Sequence, residues 1–213
     1  MVFNRKFVSP REVIEAAMRA FKDFAEINLQ KNGTTTNQPP QPRSSVWHPP
    51  PRGVSKINSN ASLGTGKKAG GLGFVLRNSH GDCLRAVSKP AQFHTAIIRE
   101  ALAMRDAVLY ALGDCVEKVV VESDSLDLVR LIQDTSRTSP SEIGSIVQDI
   151  RHLITYFVQC DIAHVFRETN SFPDSLSRRA MSCACETVWP NFIPWIQDLC
   201  NLDSSVVSRF PTE

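Results

Sequence analysis

The period of the apolar positions changes several times along the chain. Residues 55–61 alternate polar and apolar side chains as a half-buried strand does, and Gly71-Leu72-Gly73-Phe74-Val75-Leu76-Arg77 reads as a second strand. Asn78-Ser79-His80-Gly81-Asp82 has turn chemistry, and residues 83–88 form a third strand, so strands two and three make a hairpin. From residue 95 the period becomes helical. Ile97, Ala101, Met104, Val108 and Ala111 lie along one stripe of a helix over 95–112. Residues 118–123 are a compact apolar run suited to a strand covered on both faces. Residues 125–134 return to helical spacing with Leu128, Leu131 and Ile132 inward. Ser139-Pro140-Ser141-Glu142 has helix-start chemistry and precedes a long amphipathic stripe from Ile143 to Phe157. Residues 158–166 are a fifth strand, and Ser171-Phe172-Pro173-Asp174 opens a last helix that runs to about Met181. The order is β-β-β-α-β-α-α-β-α. A three-strand meander followed by strands separated by helices predicts an α/β domain, a five-stranded mixed sheet with helices on its faces.

The flanks have a different texture. Within residues 1–32, Ser9, Pro10 and Glu12 start a short amphipathic helix carrying Val13, Ala17, Phe21 and Phe24, and Lys31-Asn32-Gly33 ends it. Residues 33–53 are a Pro-rich linker with Pro39, Pro40, Pro42 and Pro49 to Pro51, which favours extended, solvated backbone. The domain proper is expected over 54–182. Residues 183–213 form an apolar tail with Trp189, Phe192, Ile193, Trp195, Ile196 and Leu199, too much apolar surface to leave undocked.

Composition narrows the picture. At 213 residues and 42% hydrophobic, the chain is long enough for one good core plus appendages or for two small domains, and a monomer is expected. A net charge of +2 is no global polyanion signature, so nucleic-acid contact must come from local basic clusters. The six cysteines are irregularly spaced, with no CxxC pair, and read as reduced thiols in an intracellular protein of nucleus or cytoplasm. No apolar run approaches the ~20 residues that span a bilayer. Glu12, Glu15, Asp23 and Glu26 argue against an import leader.

Three acids stand out against this frame. Asp124 follows the fourth strand, where open α/β sheets place their sites. Glu100 interrupts the apolar run Ala96-Ile97-Ile98-Arg99-Glu100-Ala101-Leu102-Ala103. Asp174 opens the last helix, where backbone N–H groups stabilise negative charge. Each has a structural alternative: Asp124 as a cap for the helix at 125, Asp174 in a capping box with Ser171, Glu100 as a solvated helix residue. Jointly, on this element order, they point to one carboxylate cluster. Asn60, in the first strand, completes the set of positions.

The pattern resembles the ribonuclease H type 1 family, in the retroelement-derived, reverse-transcriptase-like branch found in plants. The resemblance covers about residues 47–182. It rests on Trp47-His48-Pro49-Pro50-Pro51-Arg52-Gly53-Val54-Ser55-Lys56-Ile57-Asn58, which is similar to that branch's tryptophan-proline-glycine-lysine-asparagine opening of strand one. It also rests on Ala69 to Asn78, on Val119-Val120-Val121-Glu122-Ser123-Asp124-Ser125, and on the closing motif His164-Val165-Phe166-Arg167-Glu168-Thr169-Asn170-Ser171-Phe172-Pro173-Asp174-Ser175-Leu176. The resemblance implies a ribonuclease H-like fold and an endonuclease that hydrolyses the RNA strand of RNA–DNA hybrids. It implies two Mg²⁺ ions, with Mn²⁺ as a substitute, about 4 Å apart. Glu100, Asp124 and Asp174 then stand at metal-binding positions, and Asn60 stands where the family has the aspartate that bridges both metals. His164 stands where some members carry a proton-shuttling histidine, with a structural role in strand five as the alternative. Arg77, Arg167, Arg178 and Asn170 are the expected nucleic-acid contacts.

Asn60 is the departure. An amide offers one neutral carbonyl oxygen and a donor nitrogen in place of two anionic oxygens. Glu122 is expected to point elsewhere, and Asp82 lies in the hairpin. Two functions follow: a weakened hybrid ribonuclease, or a binding module that keeps the fold without catalysis. A protein-interaction role rests only on the aromatic tail.

Overall fold

The computed structural model describes residues 46–64, 69–92 and 95–205. The expected N-terminal helix and the first part of the Pro-rich linker lie outside the described residues. Six strands form one sheet: β1 (Ser55–Leu63), β2 (Ala69–Arg77), β3 (Cys83–Gln92), β4 (Lys118–Ser123), β5 (Gln159–His164) and β6 (Thr187–Trp189). Their order across the sheet is β5-β4-β1-β2-β3-β6. β1, β2 and β3 are an antiparallel meander, β4 and β5 add in parallel beside β1, and β6 pairs antiparallel with β3. The helices are α1 (Ala96–Gly113), α2 (Leu126–Gln133), α3 (Gly144–Leu153), α4 (Ser171–Ala180) and α5 (Pro194–Ser205). The mixed α/β architecture is the expected one, with one strand more. Three residues are too few for an alternation to register, so β6 was hidden in the apolar tail.

Two apolar layers follow from the alternation. On one face Ile57, Phe74, Leu76, Val87, Val119 and Val121 meet α1, α2 and α3 through Met104, Val108, Leu128 and Ile150. On the other, Val75, Ala86 and Cys83 meet Phe172 and Leu176 of α4 and Ile196 of α5. The hairpin turn is built by Asn78, whose Oδ1 accepts from His80 N at 2.8 Å and Asp82 N at 3.0 Å, while Gly81 takes a φ of 86°.

α4 sits unusually near β2. A Cβ on Gly73 would lie 2.2 Å from Ser177 N and 2.4 Å from Pro173 O, and one on Gly71 would lie 2.1 Å from Ser177 O. Only glycine allows this backbone-to-backbone approach. It seats the helix that carries Asp174 against the sheet.

Several boundaries differ from expectation, β3 running on to Gln92 and α3 ending at Leu153 among them, and two have a clear physical reason. Ile143 closes a turn with Pro140 O at 3.1 Å, and α3 begins only at Gly144, because Glu142 turns outward to accept from Thr95 Oγ1 at 3.2 Å instead of closing a capping box. The end of the expected linker belongs to the domain: Trp47 is 4% exposed and Pro50 is buried. The indole needs a buried partner more than the prolines need water, and β1 supplies one.

Candidate functional site

Three polar residues, Lys56, Asn58 and Asn60, share one face of β1 at alternate positions. All three are buried, which strand alternation alone does not require of polar side chains. The first two belong to one network. Asn58 Nδ2 donates to Glu122 Oε2 at 2.7 Å, and Asn58 Oδ1 accepts from Trp47 Nε1 at 3.1 Å and from Arg77 Nη2 at 3.0 Å. Lys56 Nζ lies 2.6 Å from Glu122 Oε1 and donates to His48 O at 2.8 Å. The Arg77 guanidinium stacks 3.4 Å from the centre of the Trp47 ring. Each oxygen of Glu122 thus has a donor, so burial is offset by ion pairing and hydrogen bonds. The tryptophan, lysine and asparagine that opened the sequence motif are the structural lock of this region.

Two residues further along β1, the second cluster is formed differently. Asn60 Nδ2 donates to Asp174 Oδ1 at 3.0 Å. A carboxylate only accepts, so the nitrogen of the amide must face it. Asp174 Oδ2 is engaged by Arg178 Nη2 at 2.9 Å, one helical turn along α4. These contacts replace the capping box with Ser171. Asp124 lies near enough to Asp174 to feel its charge, and near enough to Glu100 to act on it in turn. Burial raises the Asp124 carboxyl above its ordinary value, the charge of Asp174 adds to the rise, and Arg167 and His164 offset part of it. Glu100 is the most perturbed. Burial first, then the charge of Asp124, pushes it up to about 8, against the Arg99 charge and a hydrogen bond from the backbone of Ala61. Its Oε2 is buried without a hydrogen-bond partner.

The four expected positions, Asn60, Glu100, Asp124 and Asp174, are therefore brought together. Their fit to a metal pair is another matter. Both oxygens of Asp174 face N–H donors, and Asn60 presents a donor where a cation needs an oxygen. Glu100 alone has a buried oxygen with no donor. Among the described residues no three His, Cys, Asp or Glu side chains are placed to hold one metal ion. The arrangement does not fit two Mg²⁺ ions.

Other expected contacts move. Arg77 is fully buried on Trp47, which removes it from any phosphate-binding surface. Asn170 is also fully buried, its Nδ2 donating to Ser59 O at 2.9 Å, so it ties the start of α4 to β1 instead of reaching outward. Arg167 and Arg178 are exposed at the acid cluster. Arg179, beside them, stacks 4.0 Å from the Trp195 ring. His164 ends β5, half-buried, with its ring edge-on to Phe166 at 5.7 Å. The network around Glu122 was missed as a unit. Its signal was the run of polar residues at 56, 58 and 60 in a strand with buried neighbours on both sides.

The reverse transcriptase-like family matches residues 58–180. No curated protein sequence matches the chain. Among solved structures, RNase H1 from the halophilic archaeon Halobacterium salinarum is 20% identical, with a TM-score of 0.56 over 61% of this chain and 98% of its own. The N-terminal RNase H domain of a Mycobacterium tuberculosis protein is 17% identical, with a TM-score of 0.55 over 61% and 94%. LC11-RNase H1, solved in complex with an RNA/DNA hybrid, is 23% identical, with a TM-score of 0.53 over 60% and 96%. At these identities the likeness establishes the fold.

Proposed function

From the premise that this chain belongs to the reverse transcriptase-like family, we propose that its RNase H-like domain binds nucleic acid, RNA–DNA hybrid first, and leaves the strands uncut. The observation that carries the reading is the Asn60 Nδ2 donation to Asp174 Oδ1 at 3.0 Å. Hydrolysis by the two-metal route needs anionic oxygens on both sides of a metal pair. Here a neutral donor takes the bridging position and satisfies one oxygen of the neighbouring carboxylate. Arg178 satisfies the other.

Binding makes fewer demands. A hybrid of A-like shape is read through phosphates and 2′-hydroxyls, and a related fold has been solved on an RNA/DNA hybrid. Arg167 and Arg178 stand exposed at the rim of the acid cluster, where they offset the repulsion between carboxylates and an incoming phosphate. The convergence of three carboxylates on one site favours a second reading, a Mg²⁺-dependent hybrid ribonuclease of low activity.

Fluorescence anisotropy with a labelled RNA–DNA hybrid, in Mg²⁺ and in EDTA, separates the two. The binding module gives equal affinity in both buffers and intact RNA on a denaturing gel. Metal-dependent RNA cleavage by the unmodified chain would overturn it, and absence of hybrid binding in both buffers would overturn the nucleic-acid assignment itself.

A further inference from the structure

Two thiols far apart in the chain meet on the face opposite the large core. Cys83 begins β3 and is 6% exposed, within the apolar cluster of Val75, Ala86, Phe172, Leu176 and Ile196. Cys200, on α5, is half-buried and packs against that same cluster. Both line a cleft of about 670 Å³ that opens between the β2–β3 hairpin, with Asn78, Asp82 and Leu84, and α5, with Gln197 and Asn201. Both are in the reduced form in this structure, and their side chains are in hydrogen-bond contact. Neither belongs to the acid cluster, and the family match ends at residue 180, before α5 begins.

We propose that Cys83 and Cys200 form a reversible dithiol–disulfide pair that responds to low-molecular-weight disulfides such as oxidised glutathione and staples α5 to the start of β3. Cys200 reacts first, because it is the more open of the two to the cleft. Its thiolate attacks one sulfur of the small disulfide. That S–S bond breaks, a mixed disulfide forms on Cys200, and the first small thiolate leaves and takes a proton. Cys83 then gives its proton to water and attacks the Cys200 sulfur, which releases the second small thiol. Two protein thiols are oxidised and one small disulfide is reduced to two thiols. Burial and the contact with Cys200 keep Cys83 protonated above the ordinary thiol range, so it waits as the resolving thiol. The bond closes a long loop, and it reaches the site through packing. Ile196 of α5 sits on Phe172 and Leu176 of α4, the helix that carries Asp174.

The test uses the full chain, equilibrated with oxidised and reduced glutathione at set ratios. Remaining thiols are alkylated, and the unreduced protein is mapped by mass spectrometry. The expected result is a peptide pair joined through Cys83 and Cys200, two fewer alkylated thiols, and a Tm raised by roughly 5 °C or more that dithiothreitol reverses. Cys200→Ser, a near-isosteric change at a half-buried position, loses both the link and the shift. A chain that ends with glutathione on Cys200 and an alkylated Cys83, or with its cross-link at Cys115, Cys160, Cys183 or Cys185, overturns the proposal.

Discussion

Asn58 and Asn60 are two residues apart on one face of β1, yet they belong to opposite kinds of polar cluster. Around Asn58 donors meet acceptors at close range: Lys56 faces Glu122, Arg77 faces the oxygen of the amide, and Trp47 covers them. Around Asn60 three carboxyls converge, and part of their repulsion stays in the fold as the raised carboxyls of Glu100 and Asp124. A network held by close ion pairs and hydrogen bonds behaves as core, whereas one left electrostatically costly marks a place shaped by something other than stability. The contrast separates what holds this domain together from what the domain is for.

The sharpest break of the comparison is Arg77→Ala. It removes a buried cation from a covered site and leaves Glu122 with less positive charge nearby, so about 3–5 kcal/mol of stability is expected to go. Urea unfolding measures it, and hybrid affinity of the remaining folded protein should be unchanged, because Arg77 does not reach the surface.

Glu100→Gln tests the other cluster through pH. The folded carboxyl is raised to about 8 against an ordinary 4.5, so the folded state holds its proton more tightly than the unfolded chain. That contribution to stability is complete below pH 4.5 and is lost as pH rises through 8. Asp124 adds to the same slope, since it is raised too. Glu100→Gln should flatten the fall in Tm between pH 4.5 and 8 and gain a few kcal/mol at most at pH 8–9. An unchanged slope would mean that Glu100 is solvated, as its structural alternative had it.

Gly73→Ala probes the seat that the acid helix shares with the sheet. The new methyl meets backbone at Ser177 and Pro173, so α4 must shift, at about 1–3 kcal/mol. Thermal unfolding gives the cost. The shift should also loosen Asn60 from Asp174, visible as a change in the Asn60 side-chain amide resonances. Asn60→Ala is the mildest change. Arg178 still holds Asp174, and the loss should be about 1 kcal/mol.

Much of this was legible in the residues. The period changes gave the element types, and the four site positions read from Asn60, Glu100, Asp124 and Asp174 are gathered in space. What stayed hidden was long-range. Arg77 looks in the sequence like any basic residue at a strand end. Only Trp47, from a stretch that read as linker, turns it into core. Asn170 sits one turn before Asp174 and looked like a partner at the site, but Ser59 O, more than a hundred residues away, captures its amide. β6 owes its existence to the free edge of β3, which no local pattern announces.

The central claim is that one amide decides between binding and cutting. The direct measurement is single-turnover cleavage of a 5′-labelled RNA–DNA hybrid in Mg²⁺ and in Mn²⁺, by the unmodified chain and by Asn60→Asp. The account predicts intact RNA with the unmodified chain, and metal-dependent cleavage, at least 100-fold above that background, once a carboxylate replaces the amide. Equal cleavage by the two proteins would contradict it.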